Sequence, residues 1–180
     1  PSMVQTNESV MLADIKAVDS LYPLRGKFEI QHSNSKQNTS TQGGPAAGTL
    51  WLSTDAARKL NARIGQTITV GELSLIYSAT LLQEPDAALN YFNVAPKVMI
   101  AYSDLASTGL VQNGSRIQYR LVVSGNNTNV QKFVTRTRQN LQRGQRLESS
   151  DDARPEMRSA LDRASRFLSL AALVSLILAA

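Results

Sequence analysis

The last fourteen residues, Phe167 to Ala180 (FLSLAALVSLILAA), carry no charge, and only Ser169 and Ser175 interrupt the apolar run. As a helix this segment spans about 21 Å, against ~30 Å of hydrocarbon in a bilayer. Length alone leaves a buried core helix open. The flank argues for a membrane. Asp151, Asp152, Arg154, Pro155 and Glu156 stand where a helix begins, and acids and proline suit a first turn whose amides lack partners. Arg158, Arg163 and Arg166 then lead directly into the run. A charged helix that turns apolar on every face has the pattern of a helix passing from water into lipid. Residues 151–180 are therefore expected to be a stalk helix followed by the incomplete start of a transmembrane helix.

Upstream the periodicity changes from helical to alternating. Met11 to Val18 sets Ala13, Ile15 and Ala17 against Asp14 and Lys16, one dry face and one wet. Lys27–Ile30, Thr49–Leu52, Gln66–Val70, Leu73–Leu82, Lys97–Tyr102 and Arg116–Val123 also read as strands, with a brief return strand at Gln145–Ser149. Gly71-Glu72 is the tight turn of a hairpin, and Leu73, Leu75, Tyr77, Ala79 and Leu81 are expected on one face beyond it. Ser53-Thr54-Asp55 offers N-caps for a short helix running to about Asn61, with Gly65 closing it off. Residues 31–47 form a polar stretch punctuated by Gly and Pro, expected to be a mobile insertion.

These elements predict an α+β fold with mixed or antiparallel sheets in two small subdomains. Residues 1–48 and 83–150 are expected to form a helix-on-sheet, porter-like subdomain carrying the polar loop 31–47. Residues 49–82 are expected to form a mostly β inserted subdomain.

Several kinds of chemistry have little to work with. No cysteine occurs, so disulfides, thiolate zinc sites and thiol nucleophiles are excluded within these 180 residues. The only histidine, His32, lies in the polar stretch QHSNSK, without a group in the sequence to hold its ring for catalysis or metal binding. The expectation is that the chain is not an enzyme and holds no metal.

The net charge of +5 raises the question of an anionic partner. Lys132, Arg136, Arg138, Arg143 and Arg146 occur with no acid among them. Asn129–Gln142 reads as an amphipathic helix with Val130, Phe133, Val134, Thr137 and Leu141 on one face, so the cations project elsewhere. A solvated outer face accounts for them, and no aromatic stands among them to stack on bases. The alternative is a basic peripheral module for anionic lipid or nucleic acid.

Three segments, in this order, resemble the extracytoplasmic (periplasmic core) domain of the MacB/FtsX-like, type VII, ABC transporter permeases. They are LADIKAVDSLYPLRGKFEI, then GTLWLSTDAARKLNARIGQTITVGELSLIYSATL, then the amphipathic helix followed by LESSDDARPEMRSALDRASRFLSLAALVSLILAA. YPLRG, LVQNGSRIQYRL and DDARPE resemble the large subgroup with two such domains per chain. The resemblance covers nearly the whole sequence. It implies a domain facing the periplasm from the bacterial inner membrane, in a chain that works with a separate ABC-type ATPase subunit. A first transmembrane helix and a strand-helix section would precede Pro1 in that family. The sequence carries no G-x-x-x-x-G-K-[ST] motif, consistent with ATP being held on the separate subunit and with no cofactor in this chain. The partners implied are the ATPase, the bilayer, and a periplasmic protein or lipid-like substrate, with no nucleic acid. Asp151, Asp152, Arg154, Pro155 and Glu156 are the candidate coupling residues of the stalk, and helix capping accounts for them equally well.

Overall fold

Alternating segments become strands wherever a neighbour pairs with them. The computed structural model describes residues 1–32, 38–85, 95–149 and 163–169. These fall into two units, Pro1–Ser124 and Gly125–Ala180.

The first unit contains β1 (Ser2–Gln5), β2 (Val10–Val18), β3 (Phe28–Gln31), β4 (Thr39–Thr41) and β5 (Thr49–Ser53). There follow α1 (Thr54–Lys59), β6 (Thr67–Val70), β7 (Leu73–Gln83) and β8 (Lys97–Ala101), then 3₁₀ turns at Tyr102–Asp104 and Ala106–Thr108. All eight strands join one mixed sheet in the order β4-β3-β7-β5-β8-β2-β1-β6, and β6 also pairs with β7. That last pairing closes a ring of six strands, leaving β3 and β4 as an extension from the later half of β7. Two pairs in the ring, β2 with β8 and β5 with β7, are parallel. The α+β expectation holds.

Every ring strand sends side chains to one core: Val4, Ala13, Leu50, Leu52, Ile68, Val70, Leu75, Tyr77, Val98 and Ile100, joined by Ala56 and Leu60 of the α1 region. A second cluster forms from the residues that alternate with these, including Trp51 and Met99, covered by Phe28 and Ile30 of β3. Phe28 meets Trp51 edge-on at 5.4 Å between ring centroids, the arrangement that ring quadrupoles favour.

The expectation that Leu73 through Leu81 share one face fails at Ser78. Leu50 pairs with Tyr77 but Trp51 pairs with Ala79, so Ser78 is an extra residue in β7. This bulge flips the remainder of the strand. Leu75 and Tyr77 enter the ring core, whereas Ala79 and Leu81 join the second cluster. One strand thereby serves two cores.

The expected separation of 49–82 from its flanks does not appear in the pairing. Strands from 1–31, 49–83 and 97–101 lie in one sheet, and the division falls after Ser124 instead. The polar stretch 31–47 is also more ordered than its composition indicates. Gln31 belongs to β3, Thr39–Thr41 pairs with Phe28–Ile30, and Pro45 is buried. Residues 33–37 lie outside the described residues.

Arg116–Val123 and Gln145–Ser149 are not strands. Alternation assigns faces, but a strand also needs a partner's amides and carbonyls. Among the described residues none pairs with either segment, and Tyr119 and Leu121 stand 67% and 86% exposed.

In the second unit, α2 (Asn127–Gln139) starts at Asn126, whose side-chain oxygen accepts from the Asn129 amide at 2.9 Å. Val130, Val134 and Thr137 are half-buried along one stripe, while Phe133 and Leu141 of the expected face are exposed. Residues 163–169 are helical; the rest of the expected stalk, 151–162, and the apolar stretch 170–180 lie outside the described residues. Among the described residues, no helix is long and apolar enough to cross a membrane.

Candidate functional site

Two constellations of polar side chains are built on the ring, and neither is legible as a motif. The first surrounds Glu84, just beyond the end of β7 and 6% exposed. Lys16 of β2 donates to its Oε1, as does the Tyr22 hydroxyl at 3.1 Å. Lys97 at the start of β8 donates to Oε2 at 3.4 Å. Lys16 also donates to the Tyr22 hydroxyl at 2.7 Å and lies 4.4 Å above that ring.

Burial alone pushes the Glu84 carboxyl up, but Lys16, Lys97 and Tyr22 together hold it below its ordinary value. A carboxylate fixed in its ionised form, with both oxygens engaged, is poorly suited to exchanging protons near neutrality. Its contacts instead tie the end of β7 to β2 and β8. Strand alternation put Lys16 on a wet face, and nothing in the sequence linked it to residue 84.

The second constellation is an open groove of about 870 Å³ between the α1 region and β7. Ala57, Ile64 and Leu82 supply apolar surface, and the buried Tyr77 lies beneath them. Gln31, Thr54, Asn61 and Thr80 supply amides and hydroxyls, and Arg58 and Arg63 supply charge, with no carboxylate in the lining among the described residues. The Tyr77 and Thr80 hydroxyls share a hydrogen bond of 2.5 Å, and burial pushes the Tyr77 phenol's pKa up.

Ser53 positions the helical wall. Its Oγ accepts from the Ala56 amide at 3.3 Å as the N-cap of α1 and from the Lys97 amide at 3.1 Å. The helix ends at Lys59 with Leu60 as its C-cap, close to the expected end, and Asn61 turns the chain at φ 49°. Arg58 and Lys59 both pair with Asp55, whose pKa is lowered, chiefly by the Lys59 hydrogen bond. Arg63 has no carboxylate partner among the described residues.

The residues singled out from sequence fall elsewhere. Asp151, Asp152, Arg154, Pro155 and Glu156 lie outside the described residues. Lys132, Arg136 and Arg138 are exposed on α2, and Arg146 pairs with Glu148 at 3.1 Å. His32 is exposed, with Nδ1 3.4 Å from the Ser78 carbonyl oxygen. Among the described residues no group of three or more His, Cys, Asp or Glu could hold a metal ion.

No family model matches the sequence. Over 178 residues the chain is 31% identical to the uncharacterized ABC transporter permease YbbP of Escherichia coli (strain K12). The chain is similar to a segment of an ABC transporter permease. The match takes in 99% of the chain but 21% of YbbP, so the chain spans about a fifth of that relative's length. The similarity to YbbP supports the ABC permease family and runs through the ring as well as α2.

Proposed function

We propose that this chain is the extracytoplasmic domain of an FtsX/MacB-like ABC transporter permease. In this reading it couples ATP hydrolysis by a separate ATPase subunit to transport or mechanical work on the periplasmic side of the inner membrane. The observation that carries the reading is the identity to a permease segment across nearly the whole chain. The motif order and the charged flank of the apolar run support it. A ring whose strands are closed upon one another suits a module moved as a body, because closure leaves few free edges to pair with strangers. The helix expected from about Ala153 through Phe167 supplies a stiff connection to the bilayer, and ATP-driven movement of the transmembrane helices reaches the domain along it. The domain itself performs no catalysis.

The sidedness is tested with a single cysteine, since the chain has none of its own. Asn113 is exposed and lies in a turn of the first unit. In the permease carrying this chain, Asn113→Cys is expected to react with a membrane-impermeant maleimide in intact spheroplasts as fully as after permeabilisation. Labelling confined to permeabilised cells would place the domain in the cytoplasm and end the proposal.

A further inference from the structure

The groove between α1 and β7 is wide enough for a small ligand, and the described residues lining it carry one sign of charge. Among the described residues its cations are Arg58 and Arg63, and no acidic side chain lines it. Asp55 engages Arg58 from the same helix, which leaves Arg63 as the less compensated charge. Ile64, Leu82 and Ala57 provide apolar surface near these cations, above the buried Tyr77. A guanidinium beside apolar surface, with amides and hydroxyls close by, matches a ligand having an anionic oxygen head and a short apolar body.

The backbone narrows the class further. A peptide adding itself as a strand would need free amides and carbonyls on β7. The Tyr77 amide donates to Gln66 at 2.9 Å and its carbonyl accepts from Gly65 at 2.7 Å. Beyond the bulge, Thr80 and Leu81 pair with Gln31 and Ile30. Both flanks of the groove floor are therefore already paired, and recognition there falls to side chains.

We propose that this groove binds a small, water-dispersed organic anion, a phosphate monoester or carboxylate on a short apolar chain, with Arg63 and Arg58 holding the head and Ala57, Ile64 and Leu82 the body. This site stands apart from the permease reading, and either can fail without the other. The probe is hexyl phosphate with a diazirine at the end of its chain, applied to the permease carrying this chain in nanodiscs of zwitterionic lipid. Photoadducts mapped by mass spectrometry are expected on 57–64 and 77–82. Unlabelled hexyl phosphate should compete, hexyltrimethylammonium should not, and inorganic phosphate should compete at least tenfold less well. The double variant Arg58→Gln, Arg63→Gln is expected to lose at least fivefold of the labelling. Lys59→Gln, on the same helix but outside the groove, should leave it unchanged.

Labelling that misses both segments, or that survives in the double variant, overturns the proposal. Equal competition by inorganic phosphate also overturns it, because the apolar wall then contributes nothing. Abolition by anionic lipid in the nanodisc assigns the groove to a membrane headgroup and overturns the free-anion source. A single Arg63→Lys variant keeps the charge and the fold, and more than half of the parental labelling is expected to remain.

Discussion

The Glu72 amide donates to the Thr108 carbonyl at 2.9 Å, locking the tip of the β6–β7 hairpin onto the second 3₁₀ turn. The approach is close because residue 71 is glycine. A methyl group there would overlap the Thr108 carbonyl oxygen and stand 3.0 Å from Leu110 Cδ2. Gly71 also has φ 62°, which costs an L-residue about 1 kcal/mol. Gly71→Ala is therefore expected to destabilise the first unit by about 2 kcal/mol or more, overlap adding to backbone strain. Gly48→Ala is the control, with φ 77° but nothing within 4 Å, and should cost about 1 kcal/mol. Urea denaturation followed by Trp51 fluorescence measures both, and equal losses would show that the hairpin tip is free to move.

Glu84 gives the fold a defined pH response. Its folded pKa is depressed by Lys16, Lys97 and Tyr22 against the opposing effect of burial. The unfolded chain therefore takes up the proton more readily as pH falls. The stabilisation is present above the unfolded value, about 4.3, and is lost as pH drops through the lower folded value. Glu84→Gln is expected to cost about 2 kcal/mol at pH 7, from the loss of charge-assisted hydrogen bonds. The gap between parent and variant should narrow below about pH 4. Melting curves from pH 3 to 8 check this, and a gap independent of pH would mean that Glu84 acts through packing alone.

The polar stretch divides into two parts with different sensitivity. Replacing residues 33–37 by two glycines should change stability by less than about 1 kcal/mol, since closure entropy varies slowly with loop length. Removing 38–47 deletes β4, buried Pro45 and the contact that leaves no room for a side chain at Gly44 against Val18. That deletion is expected to cost several kcal/mol, within the range of core losses. Paired denaturation curves separate the two, and a neutral long deletion would show that β4 is dispensable.

The coupling role proposed for the stalk rests on its sequence alone. Replacing Arg158 and Ser159 by glycine should weaken a helix there by about 1 kcal/mol per residue, while Arg158→Ala preserves it. In the permease with its ATPase, the glycine pair is expected to separate ATP hydrolysis from output on the far side of the membrane, and the alanine variant should behave as the parent. Hydrolysis and output measured together in reconstituted membranes decide. Full coupling in the glycine pair would reduce the stalk to a tether.

Local pattern was enough to place β2, β3, β5, β6, β7, β8, α1 and α2 within a few residues of their bounds, because alternation, caps and turn glycines act between near neighbours. The Ser53 cap, the Gly71 turn and the half-buried stripe of α2 are such cases. The closed ring lay beyond reach of that pattern. It depends on β2 running parallel to β8 and β5 to β7, pairings between residues far apart whose hydrogen bonds leave no trace in periodicity. The bulge at Ser78 is invisible for the same reason: an extra residue is extra only with respect to a partner's register. Arg116–Val123 shows the converse, an alternating segment without a paired neighbour among the described residues. Glu84 and the Arg63 groove likewise arise from residues brought together from positions 16, 22, 84 and 97, and from 31 to 82. The sequence determined where most of these elements start and turn; only tertiary packing decided which edges meet and, beyond Ser78, which face turns inward, because a strand's partner is chosen by the free energy of the assembled sheet.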